Sequence, residues 1–445
     1  MTLATRARVL AALPYAAIAL VTVGIFAWLV GPQVPKVYFD SGVYLESAAQ
    51  PWSWSQLFYP KPPLVPLVYR AIGTDPEAIG TAQAVIAIVA WSVFAAALAA
   101  VLPGRRLRIA AVAVAALFAL APSRIGYTHV VLSESINDSL MALAIAAAIL
   151  LATTLGRDGG TTSARARLLA GALLALTIAW MWTRDTNAVV VVLAVPIVGV
   201  ARRRALRQAR WLLVPALLAL ASAACVIWST TVPPPPTHLT VHVGVPPDFT
   251  ARKTYPTFNN ISDRLRDPEA VAFFVAHGMP QAERLVLLGD KDQQIFLDSS
   301  FTPARRWIVE DASGVYLTWL LRHPIDHAVQ IITDVWTFLG VHNQHVYMPS
   351  GWTRSSFVLR WIRGITETKL IVALLVLAFP LALWRSTHRP LSFLALVLVT
   401  TGVFACAASY YGDSLERARH CYAAGQQVLL GLVLAVLARL TPPAP

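Results

Sequence analysis

Charged side chains are scarce in this chain of 445 residues, at 13%, whereas 57% of residues are hydrophobic. A water-soluble domain needs more polar surface than that, so soluble folds are excluded. Lysine is sparse beside arginine, and no internal repeat divides the chain into matching halves. Cysteine is limited to Cys225, Cys406 and Cys421. An odd number at these spacings excludes a disulfide scaffold and a zinc ribbon. The three thiols read as small packing residues in helices, with a Cys406–Cys421 bridge on an oxidising outer face as the alternative.

What the chain has instead is a series of apolar runs. Hydropathy predicts ten spans, near residues 11–30, 79–102, 107–122, 139–155, 168–182, 188–200, 211–230, 369–384, 391–410 and 422–440. The first has the basic start of a signal peptide, but an apolar core of about 20 residues marks a retained helix. The expected fold class is an all-α polytopic membrane protein.

The arginines orient it. With the N-terminus inside, the cytoplasmic segments carry about +15, from Arg6, Arg8, Arg105, Arg106, Arg108 and their counterparts in later loops, and the outer face about −2. The net charge of +13 is therefore a product of topology and implies no nucleic-acid partner. Both termini are expected in the cytoplasm, in a plasma membrane, with the working face outward.

Extramembrane length is concentrated on that face. The division expected is an N-terminal membrane module, 1–231, with an outer loop at 31–78; an outer, mostly helical segment, 232–368; and C-terminal membrane helices, 369–445. The outer segment opens on a stiff Pro233-Pro234-Pro235-Pro236 spacer. Asp267-Pro268-Glu269 and Thr302-Pro303 predict helix starts, with a capping residue before a proline. Residues 325–339 are apolar on one face and polar on the other, and at 1.5 Å per residue too short to span, which predicts a helix lying on the outer membrane surface.

The charges nearest the membrane gather at outer helix ends: Asp40, Glu46 and Lys61 after the first span, Arg124, Glu134 and Asp138 after the third, Arg184 and Asp185 after the fifth, and Asp413, Glu416, Arg417 and Arg419 before the last. Each alone reads as a helix-end anchor. Together they suit transfer of a sugar from a lipid phosphate. That reaction needs one carboxylate to take the acceptor proton and cations to hold the departing phosphate, with no second acid, because a phosphate leaves as an anion. Asp40 is the expected base. Lys61, Arg184, Arg417 and Arg419 are the candidates for the phosphate. Glu134 is a candidate to orient the acceptor or to act as an alternative base.

Three patches carry a family resemblance: FDSGVYLESA at 39–48, YPKPPLVPL at 59–67 and ERARHCY at 416–422. They resemble the acidic first-loop motif, the Lys-Pro-Pro signature and the late Arg-Tyr element of the GT-C superfamily of integral-membrane glycosyltransferases, in the branch of protein O-mannosyltransferases and lipid A aminoarabinose transferases. The resemblance implies a GT-C-like bundle, an outward active site, a polyprenyl-monophosphate sugar donor and inversion at the anomeric carbon. It implies proton abstraction by Asp40 and phosphate contact by Lys61. Tyr44, the tyrosine following the acid in the first motif, is placed with Glu134 against acceptor or sugar. The chain departs from the pattern at Ser41, where the family often has a second acid. It departs again at Arg419-His420-Cys421-Tyr422, where the basic and aromatic residues lie further apart and leave Arg417 and Arg419 as alternatives.

Duller explanations accompany each residue. Lys61 could sit on a rigid proline turn and meet headgroups, and Arg184 could pair with Asp185. His342 and His345 lack a third ligand and fit interfacial packing better than a metal, so no cofactor is assigned and a divalent cation stays open. The expected partners are a polyprenyl-phosphate-linked sugar, an acceptor glycan, lipid or protein, and membrane lipids. The rival functions are a lipid-sugar flippase or transporter and a non-catalytic envelope scaffold.

Overall fold

All ten apolar stretches are helical. The computed structural model describes residues 3–30, 35–57, 61–157, 163–201, 210–232, 253–288, 295, 298–341, 357–384, 386, 388–413 and 417–441. Helix α1 (Leu3–Val30) leads into α2 (Phe39–Ala49), a 3-10 turn at Trp54–Leu57 and α3 (Leu64–Ile72). Then come α4 (Pro76–Val101), α5 (Arg105–Ala119), α6 (Pro122–Thr128), α7 (Glu134–Arg157), α8 (Ala164–Met181), α9 (Asp185–Ala201) and α10 (Leu213–Ser229). The outer segment supplies α11 (Thr254–Arg264), α12 (Pro268–Ala276), α13 (Ala282–Leu288), α14 (Thr302–Glu310), α15 (Ala312–Arg322), α16 (Pro324–Thr333) and α17 (Val335–Phe338). The chain closes with α18 (Phe357–Thr366), α19 (Lys369–Trp384), α20 (Arg389–Gly412) and α21 (Arg417–Leu440).

Among the described residues seven helices are long and apolar enough to cross a membrane, or eight if α5 and α6, bent by 53°, form one span. The expected count of ten is not confirmed at that length: of the two remaining apolar stretches, Asp185–Ala201 has 17 residues, and 13–29 is part of the 28-residue α1. The bend follows from Pro122, which lacks an N–H to continue α5 and instead opens α6 at its first turn. Elsewhere the starts are capped as their sequences require. Asp75 accepts from the Ala78 N–H ahead of α4, and Ser163 accepts from Ala166 ahead of α8.

Helix α21 is the axis of the bundle, with 89% of its apolar window buried against 17–50% for the other long helices. It packs along the length of α20 and against α19 and α7. Its polar residues Arg419, Tyr422, Gln426 and Gln427 therefore lie inside the protein and must find partners there. Near its start the backbone of Leu339 and Gly340 presses on α21. Gly340 adopts a positive φ of 63°, and a Cβ on Gly425 would collide with the Leu339 carbonyl.

Helices α11 to α15 have their own core, built around Phe274, Trp307, Tyr316 and Trp319. The Asp267 start is as expected, its carboxylate accepting from the Glu269 N–H. The second start differs in detail. Thr302 is already helical, and the cap comes from Asp298 through the 3-10 turn Ser299–Phe301. The expected helix at 325–339 is two pieces, α16 and α17, broken at Asp334, whose carboxylate accepts from Tyr410 at 3.0 Å. Ile325, Val329 and Ile332 are exposed along α16. Helix α18 packs on α5 and α6, so residues assigned by sequence to the outer segment reach the bundle.

All three cysteines are free, and the buried Cys421 thiol contacts the Cys406 carbonyl at 3.6 Å, so no disulfide joins them. The proline spacer at 233–236, His342, His345, Tyr59 and Glu416 lie outside the described residues.

Candidate active site

Four connections meet at one end of the bundle: α1 to α3, α6 to α7, α8 to α9 and α20 to α21. Their first tie is a backbone exchange in which Lys36 N–H donates to His129 O at 2.7 Å and Val131 N–H to Lys36 O at 3.2 Å. Arg70 on α3 then donates to the carbonyls of Ser47, Ala48 and Gln50, closing the C-terminus of α2 onto α3. Helices α2 and α3 thus form a hairpin over a buried floor of Tyr69, Tyr127, Leu132 and Tyr422.

Asp40 stands in the first turn of α2, where the helix dipole favours a negative charge. Ser41 is fully buried and its Oγ accepts the Tyr38 N–H at 2.9 Å, so it serves here as a helix cap. Lys61 reaches Asp40 from the Lys-Pro-Pro turn. Two successive prolines fix that turn, and the next residue, Leu64, donates its N–H to Trp182 O at 3.2 Å, anchoring it to the end of α8.

The charges form one continuous cluster. Lys61 Nζ donates to Asp40 Oδ1 and Arg419 Nη1 to Asp40 Oδ2, each at 2.9 Å. Arg419 Nε donates to Glu134 Oε1 at 2.8 Å, and Arg184 Nη1 donates to the same oxygen at 3.2 Å. Burial is graded along the cluster. The side chains of Lys61 and Asp40 are 29% and 25% exposed, Arg184 11%, Arg419 7% and Glu134 0%. Burial alone would raise the Asp40 carboxyl, but Lys61 and Arg419 outweigh it and hold the group well below the usual carboxylate range. Burial likewise opposes the charge on Lys61, and Asp40 outweighs it, keeping the ammonium above its ordinary value.

Tyr44 is buried beside them, with Lys61 5.8 Å above its ring and Tyr69 packed edge-on. Burial pushes its hydroxyl upward, so it stays neutral and available as a hydrogen-bond group.

Of the sequence candidates, Asp40, Tyr44, Lys61, Glu134, Arg184 and Arg419 come together. Arg417 does not. It pairs with Asp263 of α11 and covers the Tyr410 ring at 5.2 Å, outside the cluster. Consecutive helical residues turn by about 100°, so Arg417 and Arg419 face different ways on α21. Arg184 hydrogen-bonds Glu134 and His420. Arg124 and Asp138 lie deeper as a separate buried pair at 3.2 Å, with Tyr422 donating to Asp138 Oδ2, Arg124 donating to Gln426, and the face of Trp91 against the guanidinium.

Sequence reasoning passed over His420 and the polar residues of the spans. Arg184 Nη2 lies 3.2 Å from His420 Nδ1. A guanidinium can only donate, so Nδ1 accepts and the ring proton sits on Nε2, which faces Asp413 at 3.5 Å. Asp413 in turn accepts from Asn259 of α11 at 2.9 Å, joining that helix to the cluster. Beneath Arg184, Thr183 and Asn187 both bond Asn137 of α7. Their signal in the sequence was polarity inside apolar runs.

No group of three histidine, cysteine or acidic residues that could hold a metal occurs among the described residues. An apolar cavity of about 500 Å³ lies between α1, α4 and α5, lined by Phe26, Trp91 and Ala115 among others, and none of the clustered charges borders it. No protein-family model, curated protein or solved structure matches the chain.

Proposed function

We propose that the chain is a membrane glycosyltransferase that moves a sugar from a polyprenyl-monophosphate donor to an acceptor hydroxyl on the outer face of the cytoplasmic membrane, with inversion. The observation that carries this reading is the convergence of one carboxylate, Asp40, with two cations, Lys61 and Arg419, at 2.9 Å each. In the reaction the acceptor oxygen gives its proton to Asp40 and bonds to the anomeric carbon. The bond from that carbon to the phosphate oxygen breaks on the opposite side, and the lipid phosphate leaves as an anion held by Lys61 and Arg419. Arg184 backs the same charge through Glu134, and Tyr44 offers a neutral hydroxyl to sugar or acceptor.

Support comes from position as well as chemistry. The cluster lies where the helices end, which suits a donor whose phosphate is a lipid headgroup, and α11 reaches it through Asn259 and Asp413. A transporter would more commonly place its charges near the midplane on interrupted helices. The test is to incubate the purified chain in lipid with labelled polyprenyl-phosphate sugars and an extract of acceptors, and to look for released polyprenyl monophosphate. Release supports the enzyme. Uptake of a water-soluble sugar into vesicles, without any release, would instead support the transporter.

A further inference from the structure

We infer that Asp40 and the anionic phosphate of the ligand are alternative occupants of one cation pair, so that the carboxylate becomes free to act only when the phosphate has displaced it from Lys61 and Arg419. This rests on the glycosyl-transfer reading for its purpose but not for its test.

The geometry gives the two carboxylates different tasks. Glu134 is fully buried and holds both Arg419 and Arg184 through Oε1. It is a permanent anchor, because removing it would leave the guanidinium of Arg184 without its carboxylate and that of Arg419 with Asp40 alone. Asp40 is at the exposed end of the cluster, and each of its oxygens is taken by a different cation. A phosphate ester presents two terminal oxygens with a similar bite and can accept from the same Nζ and Nη1. Arg419 would not move in the exchange, since its Nε stays on Glu134.

Charge points the same way. Lys61, Arg184 and Arg419 face Asp40 and Glu134, an excess of one positive charge. One anion neutralises the cluster. The two cations that hold the Asp40 carboxyl far below its ordinary value also make it a poor proton acceptor until they are diverted. The order of events follows: anion first, proton transfer second.

The test measures binding alone. Wild type, Asp40→Asn and the double variant Asp40→Asn/Lys61→Ala are titrated in detergent with a short polyprenyl monophosphate and, separately, with inorganic phosphate. Removing the competing carboxylate should tighten polyprenyl monophosphate by about tenfold or more, and the double variant should lose that gain. Equal or weaker binding by Asp40→Asn would overturn the exchange. If that variant does not fold, the wild type with carboxylate-labelled aspartate is followed by infrared difference spectroscopy. A shifted carboxylate band on adding the lipid phosphate supports the exchange, and an unchanged spectrum at saturation overturns it. A gain seen with inorganic phosphate and not with the lipid would keep the exchange while removing the lipid donor. Loss of the exchange in an active enzyme would leave the glycosyl-transfer reading standing.

Discussion

Arg419 donates to Glu134 at 2.8 Å although 285 positions separate them in the chain. Glu134 opens α7 and Arg419 lies in the first turn of α21, so the bond joins the axis of the bundle to the connection that follows α6. Because Glu134 is fully buried and also holds Arg184, Glu134→Gln should take the ion-pair partner from Arg184 and leave Arg419 with Asp40 alone. The expected outcome is a loss of about 3 kcal/mol of stability and of nearly all transfer. Thermal unfolding in detergent checks the first, and a variant as stable as wild type would contradict the anchoring role.

Arg417 and Arg419 should behave differently. Arg419→Ala removes a ligand of both Asp40 and Glu134 and is expected to abolish transfer. Arg417→Ala removes a contact to Asp263 and the Tyr410 face, so it should loosen α11 while leaving most of the rate. Parallel rate measurements decide it. Equal losses in both would mean that the cluster has been drawn too small.

The helices and the placing of charges at helix ends were legible in the sequence because both follow from local composition. An apolar run long enough to span is helical on its own account, as a lipid or protein interior leaves its backbone no other partner. The proline turn of Lys61 and the helix start at Asp267 were legible for the same reason. What the sequence left open was set by distant contacts. The choice of Arg419 over Arg417 depends on how α21 is rotated against α7, and the break at Asp334 on Tyr410, which is 76 positions away. His420 was passed over because its partners, Arg184 and Asp413, come from different connections. Of the ten expected spans, one is bent at Pro122 and 185–201 is short, neither of which the hydropathy of a run displays.

Gly425 makes a prediction about packing. Its missing Cβ lets the Leu339 carbonyl lie against α21, next to the turn at Gly340. Gly425→Ala should therefore push α17 away and cost about 2 kcal/mol. An unchanged unfolding temperature would contradict the close approach.

Asp40 makes a prediction about pH. Its carboxyl is held well below its ordinary value of 3.8 in the folded protein, so the stability it contributes is present above that ordinary value and disappears as the pH falls through the lower, folded one. The difference in unfolding temperature between wild type and Asp40→Asn should stay constant from about pH 7 to about pH 4 and shrink only in stronger acid. A difference that fades between about pH 7 and about pH 5 would mean that Lys61 and Arg419 do not hold this carboxylate.

The most direct test of the account is the rate at which polyprenyl monophosphate is released from saturating labelled donor by wild type and by Asp40→Asn in the same lipid. Release by the wild type is expected, with a fall of at least about a hundredfold in the variant, whose ability to bind the lipid phosphate is retained. Release at the wild-type rate by Asp40→Asn would show that the proton goes elsewhere, and the chemistry assigned to this cluster would be wrong.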